Sequence, residues 1–469
     1  MRFFGLLVIG GIAFAGEARA DTCVRPSDAG GYAGYVYSPS TVRYFDSKST
    51  RVHYVDEGKH SVRTKSSRPD SVPDDVARVA EIAEDALTRY GTMGYRSPRS
   101  DVACGSNGGD GRLDVYLVDF GAADGMTARE LCSTEGKVTV CASFLLVESN
   151  FEGRYATADE GIRTVVPHEL FHAVQNAYDA DLDRFWAEGT AQWAAKRLDP
   201  TLLDLERFLP SYFGDTGRAL DAPAGGVTAG FLYGSAIWPV YLTEKHADET
   251  VRLIFETEAS SGAGIFASTD EVLKKNYSSS LASEFTTFAL FNAATSTRTG
   301  TGGYASAKSY PAVKIDDLPE QGVSGATSGL ATKYFRVQIK QGTKLEIDAD
   351  PARTRAIFLP LEDGKARIDH ATPLPADVNG EGIAVVAGIT TKKTDADFRL
   401  YLTATSTPGS ATAPPVTPST DPVIAPSQGG CSISESESHH TLTPLGLLAL
   451  AFVFESRSRK RAERSRSVR

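Results

Sequence analysis

The chain has 469 residues, a formal charge of −10 and 41% hydrophobic residues, enough apolar material for one large or two medium domains with sizeable cores. Residues 455–469 hold seven Arg and Lys against two Glu, so the remainder stands at −15. Such an acidic surface repels phosphate backbones and excludes nucleic acid as a partner.

Residues 1–20 open with Met1 and Arg2, run through an apolar stretch from Phe3 to Phe14 and close on Ala18, Arg19 and Ala20 before Asp21. A basic start, an apolar middle and a small-x-small end predict a secretory signal peptide rather than a membrane span, and so an exported chain. Cys23, Cys104, Cys132 and Cys141 form an even set, with Cys431 far downstream. Of the three pairings that four cysteines allow, Cys23–Cys104 with a short Cys132–Cys141 loop is expected. No CxxC spacing is present, so these cysteines read as staples rather than metal ligands.

Arg51 to Val55 reads as a short strand. "SVPDDVARVAEIAEDALTRYG" from Ser71 then sets Val76, Val79, Ala80, Ile82, Ala83, Ala86, Leu87 and Tyr90 at helical spacing behind Pro73 and two aspartates, with Gly91 as a stop signal. Two strands follow, "RLDVYLVDF" (112–120) and "KVTVCASFLLV" (137–147). Thr157 and Glu160 stand at capping-box spacing and open a helix to about Tyr178, in which Pro167 is expected to make a kink or to set the start of the ordered turn. A second helix over about Arg184–Arg197 and further helical pattern through about 205–295 come next. From about Gly329 to Thr405 the pattern alternates, as in "YFRVQIKQGTKLEIDAD" and "GIAVVAGI", which predicts a small separate β-sandwich.

Residues 406–430 are a Pro/Ser/Thr linker. Beyond it lie Cys431, an apolar run of ten residues from Leu445 to Phe454 and an arginine-rich end, and an ordinary membrane span needs about 20 apolar residues. This arrangement resembles the sorting tails of myxobacterial surface proteins, which implies that Cys431 is the modified residue, that sorting machinery acts there and that the protein is attached to the outer cell surface. A poorly inserted membrane anchor with a basic flank is the other reading.

The chemistry lies in "VVPHELFHAVQNAYD" (165–179). Residues four apart on a helix differ by about 40° in direction and about 6 Å in rise, so His168 and His172 can present two imidazoles to one metal ion. Glu169 leans over the same edge, where it can act as a base toward a water. A buried core helix with two satisfied histidines explains the same motif. What favours the metal is Glu188 in "DRFWAEGTAQWAAK", 16 residues after His172 on the next helix, since a short turn brings the second helix back beside the first. Two His and one Glu leave a fourth position open, which describes a catalytic zinc site, one Zn2+ per chain. A His-rich extension of the HExxHxxGxxH type fails, because Gln175 and Tyr178 occupy its positions.

HELFH followed by "WAEGTAQW" resembles the gluzincin group of zinc metallopeptidases. The order of GRLDVYLVD, SFLLVE, HELFHAVQ, WAEGTAQW and YGSAIWPVYL is similar to secreted metalloproteases of myxobacteria, over about residues 45–250. The resemblance implies a zincin fold, peptide hydrolysis, zinc on His168, His172 and Glu188, and Glu169 as base. One departure is Gln192, where such enzymes carry an aspartate that orients a histidine. Asp159, Asp179, Asp183 or a backbone carbonyl is the candidate partner for the second ring nitrogens. Zincins also line substrate with an edge strand, and "TVCASFLLVES" (139–149) is either that strand or an interior one. Tyr233 in "FLYGSAIW" is the candidate oxyanion donor, or a core tyrosine beside Trp238. His246 reads as a solvated surface histidine. "GSNGGDGRLD" (105–114) raises a calcium question through Asp110 and Asp114, but lacks the carboxylates of an EF-hand loop and reads as a turn entering a strand.

The expected architecture is α+β: signal peptide 1–20, zincin-like domain 21–315, β-sandwich 328–405, linker 406–430 and sorting or anchoring tail 431–469. The expected function is a secreted or surface-attached zinc metallopeptidase acting on protein or peptide substrates. A catalytically silent zincin-like adhesion or binding protein at the cell surface is the alternative, and a zinc hydrolase of non-peptide substrates a third.

Overall fold

The computed structural model describes residues 23–405 except Ala122. The signal peptide, linker and sorting tail expected from the sequence lie outside the described residues.

A five-stranded sheet comes first, in the order β1-β2-β3-β5-β4: β1 Arg43–Asp46, β2 Thr50–Tyr54, β3 Leu113–Val118, β4 Gly125–Glu135 and β5 Val138–Glu148. The pairs β2·β3 and β3·β5 are parallel, while β1 and β4 run antiparallel to their neighbours at the two edges. Side chains alternate across a strand, and both faces of the central strands β3 and β5 are buried. Val115, Leu117, Leu145 and Val147 join the main core on the helical side. Tyr116, Val118, Phe144 and Leu146 pack on the other side with Tyr35 and Tyr37 of the N-terminal segment.

The strand over 139–149 is therefore interior, and the edge is β4, for which the sequence held no expectation. The expected disulfides are both present, Cys23–Cys104 and Cys132–Cys141, and such bonds fit a chain that matures in an oxidising compartment.

The helices α1 Asp74–Thr92 and α2 Ala158–Asn176 cover the core face of the sheet. Thr157 caps α2 by accepting a hydrogen bond from the Glu160 N–H at 3.1 Å. The helix runs on through Pro167 without a break, and the Pro167 carbonyl accepts a hydrogen bond from Tyr90 Oη. After a short turn, α3 Arg184–Leu198 returns beside α2. Then come α4 Asp204–Phe213, α5 Ala229–Gly234, α6 Ile237–Lys245, α7 Thr250–Ser261, α8 Ile265–Tyr277 and α9 Leu281–Ala293.

The β-sandwich is present but does not stand apart. One sheet runs β11-β10-β13-β8-β6 with β12 beside β10, the other β7-β14-β9. These strands are β6 Asp316–Asp317, β7 Val323–Thr327, β8 Thr332–Ile339, β9 Thr343–Ala349, β10 Thr354–Glu362, β11 Lys365–Ala366, β12 Thr372–Pro373, β13 Gly380–Gly388 and β14 Ala396–Ala404. Phe335, Val337, Phe358, Phe398 and Leu400 fill the space between the sheets. On the outer face of the larger sheet, Tyr334, Leu359, Ile383, Val385 and Ala387 belong to the same core as the helices. Tyr334 Oη also donates to the Ala289 carbonyl of α9 at 3.2 Å. The sequence pattern shows alternation within each strand and cannot show that a sheet's second face is covered by helices. The fold class is α+β, as expected.

Candidate metal centre

His168 and His172 project from one face of α2 and meet Glu188 of α3. The two Nε2 atoms lie 3.1 Å apart, and Glu188 Oε2 lies 3.4 Å from one and 3.6 Å from the other. All three side chains are largely buried, with 11%, 18% and 15% of their surface exposed. Glu169, between the histidines, is 8% exposed. One helical turn plus one antiparallel neighbour is enough to assemble this group.

Whether a cation fits is decided by the hydrogen bonds behind the site. His172 Nδ1 lies 2.8 Å from Gln175 Oε1, and the Gln175 amide nitrogen donates to the Ala187 carbonyl and the Thr190 hydroxyl at 2.8 Å each. With the amide so oriented, a neutral His172 carries its hydrogen on Nδ1 and turns the Nε2 lone pair toward Glu188 and His168. A lone pair facing a carboxylate across a buried gap needs a positive charge between them, either a proton or a metal ion. The donor set suits zinc. In the metal-free chain burial opposes the imidazolium of His172, but Glu188, Glu169 and Gln175 outweigh it and push the pKa up to about 9. Burial disfavours the charge of Glu188, yet the two histidines beside it leave it well below the ordinary carboxylate range.

At His172, Gln175 thus takes the role for which Asp159, Asp179, Asp183 or a carbonyl was considered. Asp159 pairs with Arg78 and Arg163, Asp179 accepts the Asp181 N–H, and Asp183 stands at the start of α3. The departure at Gln192 also has a structural counterpart: its amide donates to Asp204 Oδ2 of α4 at 2.8 Å.

Tyr233, on α5, lies beside the site. Its ring centre is 6.0 Å from that of His168 and 4.8 Å from that of Phe208, on which it stacks. The charge of Glu188, then burial, then the charge of Glu169 hold its pKa well above the ordinary phenol value, so it keeps its proton.

Over Glu169 runs the start of β4. Thr127 Oγ1 lies 2.7 Å from the Glu169 carbonyl and 2.9 Å from Oε2. Thr127 was not singled out in the sequence, because it reaches Glu169 from a strand 42 residues back along the chain.

Two other expectations resolve away from this centre. His246 is not a solvated histidine: its side chain is 10% exposed, lies 3.3 Å from Glu284 Oε2 and stacks on Tyr277 at 4.3 Å between ring centres. In the 105–114 turn, Asp110 is paired with Arg51 and Arg112. Asp114 is buried against His53 and Arg25, so arginines meet the carboxylates that raised the calcium question.

Arg25 also touches Asp101 and Glu130, all within the buried interior. Burial opposes its charge, but Glu130 and the neighbouring acids outweigh it and raise its pKa. Burial pushes Glu130 up to about 7 and Asp101 up to about 6.

Compared with known proteins, the chain matches no protein-family model and shows no significant match to a curated protein.

Proposed function

We propose that this chain is an exported zinc metallopeptidase of gluzincin type that hydrolyses peptide bonds in protein substrates. The observation that carries the proposal is the meeting of His168, His172 and Glu188 on one largely buried point beside a second acid, Glu169. Two His and one Glu are the protein ligands of an open zinc site.

Zinc held there supplies a Lewis acid that polarises a carbonyl oxygen and eases deprotonation of a water. Glu169 takes the proton from that water and later delivers it to the nitrogen of the leaving amine. Tyr233, which stays protonated, donates a hydrogen bond to the oxygen on which charge develops. The strand β4 ends its sheet, and an extended peptide adds to such an edge through main-chain hydrogen bonds. A mixed sheet with an antiparallel edge strand beside the metal-binding helix supports the zincin reading. The N-terminal leader supports export, and the tail around Cys431 supports surface attachment through a sorting apparatus.

The test is the zinc content of purified residues 21–430, for the native chain and for Glu188→Ala, after dialysis against a mild chelator. About one zinc per native chain, lost in the variant, together with cleavage of a peptide library that Glu169→Gln abolishes, is the expected result. A folded native chain without zinc sinks the proposal. Zinc without cleavage of any peptide points instead to a silent, zincin-like surface-binding protein or to a hydrolase of another substrate class.

A further inference from the structure

We infer that Thr127, on the edge strand, is a positioning residue that selects which oxygen of Glu169 works. The inference deepens the metallopeptidase reading and rests on it for its kinetic consequence.

Glu169 has two carboxylate oxygens in different surroundings. Oε2 is 2.9 Å from Thr127 Oγ1, and the same hydroxyl is 2.7 Å from the Glu169 backbone carbonyl. A threonine is stiff at χ1, and its strand register is set by pairing with β5, Thr127 opposite Leu145. The hydroxyl's single proton is therefore shared between one carboxylate oxygen and the backbone carbonyl of the same residue. Oε1 faces Gly125 instead. A Cβ at that position would lie 2.6 Å from Glu169 Cγ and 2.7 Å from Oε1, closer than real Cβ contacts come. The missing side chain at 125 leaves the room that the Glu169 side chain fills.

The two positions act together. Gly125 lets the strand lie against the carboxylate, and Thr127, two residues on and on the same face, ties down the oxygen that is not to react. Oε1, which Thr127 does not hold, is then the oxygen left to work. A base held within a fraction of an ångström of its working geometry contributes far more than one free to rotate. Thr127 touches no substrate in this scheme and acts only through Glu169.

The test compares Thr127→Val, which keeps the shape and loses the hydroxyl, with Thr127→Ser, which restores it. With zinc content and melting temperature at native levels, T127V is expected to lose roughly tenfold to hundredfold in kcat with KM little changed, and T127S to recover most of it. A crystal structure of zinc-loaded T127V gives a readout independent of turnover: the Glu169 carboxylate should leave its place against β4. An unmoved carboxylate in T127V overturns the inference whether or not the native protein cleaves peptides. An unchanged kcat in T127V, with the native enzyme active, overturns it while the metallopeptidase reading stands. A native protein that cleaves nothing removes that reading alone, and the crystal structure still decides the place of Thr127.

Discussion

Gln175 Oε1 lies 2.8 Å from Nδ1 of His172, three residues back along the same helix. The amide is clamped from α3 by the Ala187 carbonyl and the Thr190 hydroxyl, so it cannot turn over without losing both bonds. This fixes the ring orientation of His172 before any metal arrives. Partners of this kind are worth about tenfold to hundredfold in metal affinity. Gln175→Leu should lower zinc affinity by that factor in a chelator competition titration, with the fold kept. An unchanged affinity would show that packing alone orients the ring.

Tyr233→Phe tests the oxyanion role. Phenylalanine keeps the stack on Phe208 and removes only the hydroxyl. The expected result is a loss on the order of a hundredfold in kcat with zinc content unchanged, the usual cost of one oxyanion donor. A rise in KM with kcat intact would assign Tyr233 to substrate packing instead.

Arg25 is fully buried among Asp101, Asp114 and Glu130. Removing one partner of a buried ionic group leaves charge uncompensated and costs about 3–5 kcal/mol. Arg25→Met should lower stability in denaturant by that amount with both disulfides intact. The double variant Arg25→Met/Glu130→Gln should recover part of the loss, since one stranded carboxylate is gone. Additive losses would mean that the two residues do not interact.

The same cluster gives a pH dependence of definite sign. Burial raises Glu130 from its ordinary 4.5 to about 7, so between these values the folded chain holds a proton that the unfolded chain has released. Stability from this group is fully present below the ordinary value and is lost as pH rises through about 7. Glu130→Gln should therefore flatten the fall in denaturation midpoint between about pH 5 and pH 8. Glu284 has the opposite sign. Burial alone would raise it, but the close approach of His246 and hydrogen bonds from Ser279 and Tyr241 bring it down to about 2. Its contribution is present above its ordinary 4.5 and is lost as pH falls toward about 2, and Glu284→Gln should remove that acid-side loss.

The meeting of His168, His172 and Glu188 was legible in the sequence because its geometry is local. The separation of His168 from His172 is one helical turn, and Glu188 needs only a short reversal to reach them. The strand β4 was not legible. "GMTARELCSTE" begins with glycine, carries Arg129, Glu130 and Glu135, and lacks a run of β-branched residues. Its register also shifts between Glu130 and Ser133, where Leu131 takes a left-handed φ of 44°. Pairing with β5 makes it a strand, and that is a tertiary cause. The partners of Gln175 and Gln192 escaped for the same reason, since nothing in a lone glutamine shows whether it faces water, a histidine ring or a carboxylate. Tyr233 could be named, but only the folded chain shows its ring beside His168 and its stack on Phe208.

The way the larger sheet of the sandwich lies on α9 bears on how the protein can be trimmed. Tyr334, Ile383 and Val385 are as much a part of the helical interior as Phe288 and Ala289. A protease cut near residue 320 followed by loss of the C-terminal piece would lay bare an oily face and strip the Ala289 carbonyl of the Tyr334 hydroxyl. Such a fragment should clump rather than persist as a smaller folded body. Maturation that keeps residues 23–405 in one piece leaves this interior whole, so the sandwich belongs to the working body and is not a detachable passenger.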